Sequence, residues 1–141
     1  MLSENIYPNT ILVVENHWHL QGLLKRILTA KGCIVTTAST IPLAINKIHT
    51  ESPPFTFVIV DTSFPDDGRK YLEIITKAKL DSKGKTIVLV TNQLPYDAVF
   101  GTNIEKEALD TGADGFLQKP FNPMQLLETL ADLQKTHLQK A

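Results

Sequence analysis

The sequence predicts an α/β domain in which a doubly wound, five-stranded parallel sheet carries helices on both faces. Three observations lead there. Ile11-Leu12-Val13-Val14, Phe57-Val58-Ile59-Val60 and Ile87-Val88-Leu89-Val90 are continuous apolar runs, as expected of strands covered on both faces. Between them lie longer segments whose apolar residues recur at helical spacing, and right-handed crossovers then set helices on either side of the sheet. Finally, the runs end in polar residues: Glu15-Asn16, Asp61, Thr91, and Lys119-Pro120 after Gly115-Phe116-Leu117-Gln118. The C-termini of parallel strands share one edge, where ligands bind at the reversal of strand order. Four distant segments are therefore expected to meet at one pocket, with Asp61 as its reactive group.

Each element has its own local cause. The first strand covers about Ile11 to Val14, and the first helix follows to about Ala30. Leu20, Leu23, Leu24, Ile27 and Leu28 form that helix's inward stripe, which Lys31-Gly32 ends. The second strand is about Ile34 to Thr37, with Cys33 beside it as core filling, since a single cysteine forms no internal disulfide. Thr40 caps a second helix through about His49, with Leu43, Ala44, Ile45 and Ile48 on its apolar face and Ser52-Pro53-Pro54 as its stop. The third strand ends at Asp61. A third helix, about Gly68 to Leu80, buries Tyr71, Leu72, Ile74 and Ile75 before the polar stretch Asp81 to Lys85. Asn92 to Glu105 has little periodicity and reads as a long loop into a short fourth helix ending near Gly112. The last helix, about Pro123 to His137, presents Met124, Leu126, Leu127, Leu130 and Leu133, and Pro123 suits its first turn. A ragged N-terminus and a polar tail after Leu133 flank a core of about residues 10–134.

At 141 residues the chain fits one domain that buries an ordinary core without disulfide or metal staples. Lys plus Arg number 14 against 15 Asp plus Glu, a net charge of -1, which gives no electrostatic case for direct nucleic-acid binding or for an anionic membrane. Residues 1–10 lack a basic segment followed by an apolar one, and no apolar run nears the roughly 20 residues that span a bilayer. A soluble, cytoplasmic protein is the expectation.

The strand-end residues resemble the receiver domain of bacterial two-component response regulators, and the resemblance covers about Thr10 to Gln134. It rests on Glu15-Asn16 in the place of an acidic pair, Asp61 after the third strand, Thr91 after the fourth and Lys119-Pro120 after the fifth; Pro65 and Gly68 echo the turn that follows the aspartate. The resemblance implies a flavodoxin-like sheet of strand order 2-1-3-4-5. It further implies phosphoryl acceptance on Asp61 with Mg²⁺ held by Glu15, Asn16, Asp61 and the Ser63 carbonyl. Thr91 and Lys119 would bind the phosphoryl oxygens, Lys119-Pro120 would be a cis peptide, and Thr91 and Phe116 would form the switch. The implied protein is no enzyme beyond its own phosphorylation and dephosphorylation.

These residue types suit that chemistry. Mg²⁺ takes oxygen ligands and keeps several waters, so a few carboxylates at one edge suffice. Phosphoryl transfer needs positioning and charge neutralisation, with an ionised Asp61 as nucleophile. Asn16 departs from the family: an amide oxygen replaces a carboxylate, so Glu15, Asp61 and Lys119 sum to about -1 where one more carboxylate would give about -2. Weaker Mg²⁺ binding follows. Asn92 departs too, standing where receivers usually carry a small residue, and is expected to narrow access to the site. Gln93 occupies a place that modulates hydrolysis of the acyl phosphate.

Other candidates have simpler readings. His17 and His19, two apart, do not share a helix face and form no metal pair, Trp18 is expected as a lid at the pocket rim, and Asp66 and Asp67 as caps of the third helix. A sensor histidine kinase or phosphotransfer protein would supply the phosphoryl group. With no output domain expected to follow, an undefined downstream protein would read the face of the fourth helix, fifth strand and fifth helix, and homodimerisation stays open. One alternative keeps the scaffold as a phosphorylation-independent interaction module. Another, an FMN electron carrier, is disfavoured because Glu15-Asn16-His17-Trp18 lacks the Ser, Thr and Gly that cradle a phosphate. A hydrolase lacks its Gly-x-Ser-x-Gly elbow.

Overall fold

The computed structural model describes residues 9–63, 69–93, 96–97 and 102–140. Its strands are β1 (Thr10–Val14), β2 (Ile34–Ala38), β3 (Phe57–Asp61), β4 (Ile87–Asn92) and β5 (Gly115–Gln118). Its helices are α1 (Trp18–Ala30), α2 (Ile41–Thr50), α3 (Tyr71–Asp81), α4 (Ile104–Thr111) and α5 (Pro123–Lys140). The five strands form one parallel sheet in the order β2-β1-β3-β4-β5. The expected architecture and strand order are those observed.

Alternation along each strand splits the core into two layers. Leu12, Val14, Val58, Val60, Val88 and Val90 face α2, α3 and α4, packing on Ala44, Ile48, Ile74, Ile75 and Ala108. Ile11, Val13, Phe57, Ile59, Ile87 and Leu89 face α1 and α5, packing on Leu24, Leu28, Leu126 and Leu130. Cys33 fills that second layer, and its thiol is pushed up by burial.

Helix ends follow their caps. The Thr40 side chain accepts a hydrogen bond from the Leu43 N–H at 3.2 Å, and Asn103 accepts one from the Lys106 N–H at 2.9 Å. Gly112 closes α4 with φ +126°, a conformation that favours glycine.

Several expectations need correction. Leu23, Leu43 and Met124 remain 45, 42 and 55% exposed, because the sheet covers a narrower stripe than apolar periodicity marks, centred on Leu24 and Leu28, on Ala44 and Ile48, and on Leu126 and Leu130. Asn92 does not open the loop: it pairs with Gln118 as the last residue of β4. Beyond it, Tyr96–Asp97 and Thr102–Asn103 form a two-residue antiparallel ladder. The polar tail after Leu133 is helical to Lys140, since Leu, Gln and Lys favour helix without needing a buried face. Pro65, Asp66, Asp67 and Gly68 lie outside the described residues.

At the sheet edge opposite the polar strand ends, Asp114 ties three elements together. Its Oδ2 accepts from the Val88 N–H at 2.8 Å and pairs with Lys79, whose Nζ also donates to the Thr86 carbonyl at 2.7 Å. Removing this carboxylate leaves a strand N–H and an ammonium short of a partner. Asp114→Ala is expected to lower unfolding stability by about 2 kcal/mol in a urea titration, with Asp114→Asn costing less because an acceptor for the Val88 N–H remains.

Candidate functional site

Parallel register brings the polar strand ends together. Val14 pairs with Val60, so Glu15 follows β1 beside Asp61, and Asp61 pairs with Thr91 across β3 and β4. Thr91 in turn pairs with Leu117, two residues before Lys119. Asp61 and Glu15 are each 1% exposed.

Lys119 joins the two carboxylates: its Nζ lies 2.9 Å from Asp61 Oδ1 and 3.2 Å from Glu15 Oε1. The other oxygens have backbone partners. Asp61 Oδ2 accepts from the Ser63 N–H at 3.1 Å, and Glu15 Oε2 from the His17 N–H at 3.2 Å. Gln21 Nε2 donates to the Glu15 carbonyl at 2.9 Å and to Ser39 Oγ at 3.1 Å, securing the turn between β1 and α1. The Lys119-Pro120 peptide is cis.

One ammonium does not satisfy this pair. Burial is the largest cause raising the Glu15 carboxyl above its ordinary range, and the Asp61 charge adds to it, against the lowering influence of Lys119. Asp61 Oδ1 is buried and accepts no hydrogen bond of good geometry despite the close ammonium. A cavity of about 420 Å³ opens beside them, lined by Glu15, Asn16, His17, Asp61, Thr62, Ser63, Gln93 and Lys119. An all-oxygen donor set of two carboxylates that share one ammonium, with residual negative charge at a cavity, fits a hard cation of the Mg²⁺ type. Among the described residues no three His, Cys, Asp or Glu side chains cluster, so the charge would come from two carboxylates, with Asn16 and Ser63 as neutral oxygens.

Glu15, Asn16, Asp61, Ser63 and Lys119 thus meet at one cavity as expected. Thr91 is buried beside Asp61 and outside the cavity lining. Phe116 is half-buried, packed on the layer that includes Ala108 and Ala113. Gln93 stands at the cavity wall, but Asn92 does not narrow it: its side chain turns to Ser63, with Ser63 Oγ donating to Asn92 Oδ1 at 3.2 Å. Trp18 is not a lid over Asp61. It is 73% exposed, stacks on His19 with ring centres 3.7 Å apart, and lines an adjoining cavity of about 810 Å³ with Leu23 and Arg26. The contributions of Gln21 and of the Asn92–Ser63 bond carry no local sequence mark, since each joins residues brought together by the fold.

A family model described as the response regulator receiver domain matches residues 11–131. The response regulator RppA of Synechocystis sp. is 28% identical over 125 residues, which is 89% of this chain and 50% of that protein. The chain spans 41 to 50% of the length of the four curated relatives compared. The CheY-like response regulator receiver domain protein of Methanospirillum hungatei JF-1 superposes with a TM-score of 0.79 at 25% identity, covering 95% of this chain and 99% of that one. The receiver domain of sensor histidine kinase PA1611 from Pseudomonas aeruginosa PAO1, with a magnesium ion coordinated in its active site cleft, gives a TM-score of 0.73 at 17% identity over 91% of this chain and 98% of that one. With its strand-end carboxylates, lysine and threonine brought together on this sheet, the chain belongs to the response regulator receiver domain family of two-component systems.

Proposed function

We propose that Asp61 accepts a phosphoryl group, within one receiver domain whose core spans about residues 10–134. The observation that carries this reading is the Asp61 carboxylate, buried at the cavity with its Oδ1 paired to Lys119 at 2.9 Å. As an ionised carboxylate, Asp61 attacks the phosphorus of a donor with Oδ1. The new P–O bond forms an acyl phosphate as the donor's bond to phosphorus breaks. Lys119 moves from neutralising two carboxylates to neutralising phosphoryl oxygens, and the Thr91 hydroxyl donates to one of them. Glu15, Asn16, Asp61 and the Ser63 carbonyl would hold Mg²⁺, which when bound supplies further neutralisation of the phosphoryl charge. A histidine kinase or phosphotransfer protein is the donor in this reading, in the cytoplasm; among the described residues no helix is long and apolar enough to cross a membrane. The state of Asp61 passes through Thr91 and Phe116 to the face of α4, β5 and α5, where a downstream protein binds.

Asn16 favours a second reading, in which the scaffold binds its partner without phosphorylation and Asp61→Ala leaves that binding unchanged. Intact mass after acetyl phosphate treatment across a Mg²⁺ series separates the two. The first reading expects a Mg²⁺-dependent gain of one phosphoryl group that Asp61→Ala abolishes; no gain at any Mg²⁺ concentration, with another receiver labelled in parallel, selects the second.

The metal-free site carries a cost that function explains. With its folded pKa raised above the unfolded value, Glu15 is neutral in both states at low pH, and stability is lost as pH rises through the folded pKa. Glu15→Gln is therefore expected to raise the metal-free melting temperature at pH 7, a gain that vanishes as pH falls below 4.5, while weakening Mg²⁺ binding. Restoring charge should act the other way: Asn16→Asp is expected to lower the Mg²⁺ Kd about tenfold by calorimetric titration.

A further inference from the structure

Asn92 stands at a junction that the phosphoryl chemistry above does not use. Its carbonyl accepts the Lys119 N–H at 2.8 Å. Its side chain, 7% exposed, accepts the Ser63 hydroxyl at 3.2 Å across 29 positions of sequence. Ser63 then donates its N–H to Asp61 Oδ2 at 3.1 Å, and the Thr62 N–H donates to the Thr91 carbonyl at 3.1 Å. Ser63 itself is exposed. The turn after Asp61 is therefore held at its outer residue by a side chain from the neighbouring strand, beside the oxygen of Asp61 that lies away from Lys119.

We propose that Asn92 is a positioning residue for the cation site: by holding Ser63, it fixes the turn 61–63 before a cation arrives. Resting on the reading of Asp61 and the Ser63 carbonyl as cation ligands, the inference assigns to geometry part of the affinity that Asn16 withholds as charge. A turn already ordered costs less to order on binding, and partners behind the ligands commonly set metal affinity. Asn92→Ala keeps the backbone bond to Lys119 and removes the side-chain tie to Ser63; Ser63→Ala removes the same tie from the other end while keeping the carbonyl.

The test is ¹⁵N NMR on the full chain. In metal-free protein, Asn92→Ala and Ser63→Ala are each expected to speed hydrogen exchange of the Ser63 amide about fivefold, while the fold is retained with a melting temperature lowered by only a few degrees. Each should raise the Mg²⁺ Kd about threefold, and the double variant should do no more than either alone. Asn92→Asp, which keeps the acceptor, should retain Ser63 amide protection. Unchanged exchange in Asn92→Ala, or effects that multiply in the double variant, overturns the inference. If the wild-type protein shows Mg²⁺-dependent shifts that Asp61→Ala abolishes while Asn92→Ala binds as tightly, only the positioning role falls. If the wild-type protein shows no such shifts, the cation reading falls and this role with it.

Discussion

Lys119 reaches two buried carboxylates at once, and the rest of the molecule serves that contact. Two like charges at adjacent strand ends repel strongly where water is excluded, and a single ammonium shared between them leaves Glu15 harder to ionise than an ordinary glutamate. Such an arrangement persists only where the backbone cannot relax away from it. The parallel register supplies that rigidity, because a slip of one residue in β3 would turn Asp61 to the other face of the sheet. Both core layers, with side chains of β1, β3 and β4 buried on either face, resist such a slip.

The two edges of the sheet are built differently. At the far edge, Asp114 and Lys79 share one ion pair, and each holds a second backbone partner, the Val88 N–H and the Thr86 carbonyl. At the functional edge, Asp61 keeps an oxygen without a hydrogen bond and Glu15 resists ionisation. A satisfied network stabilises; one left short of partners with residual negative charge costs stability. Sites of this kind are where proteins give up stability for chemistry.

How much of this was legible in the sequence depended on the range of each interaction. Strand ends were legible because an apolar run followed by a polar residue is a local mark, and parallel topology gathers such marks on one edge. Thr40 and Gly112 announced helix ends through backbone chemistry that is equally local. Leu23 and Leu43 lie on the marked helix faces yet stay exposed, because periodicity marks a face while its buried width depends on what covers it. Asparagine favours turns, so position 92 carries a loop mark, whereas its pairing with Gln118 belongs to a strand 26 positions away. The Asn92–Ser63 and Gln21–Glu15 bonds were illegible for a related reason: polar side chains choose partners in space, and composition does not reveal which.

In the proposed reading, Asn16 and Asn92 bear on one question, namely when the site would acquire a cation. With Asn16, Glu15, Asp61 and Lys119 carry about -1; a divalent cation makes the site about +1, and conversion of the Asp61 carboxylate to a dianionic acyl phosphate brings the loaded site to about 0. With a carboxylate at position 16 the same three states would be about -2, 0 and -1. Neutrality then falls on the cation-loaded resting site in one case and on the cation-loaded phosphorylated site in the other. By thermodynamic reciprocity, a cation that binds the phosphorylated site better also favours phosphorylation. On this count phosphorylation adds one negative charge whichever residue stands at 16, so in the proposed reading Asn16 would lower cation affinity in both states and leave the preference for the phosphorylated one in place. Weak affinity at rest is compatible with a working receiver, provided that the turn after Asp61 is already in place when donor and cation arrive together.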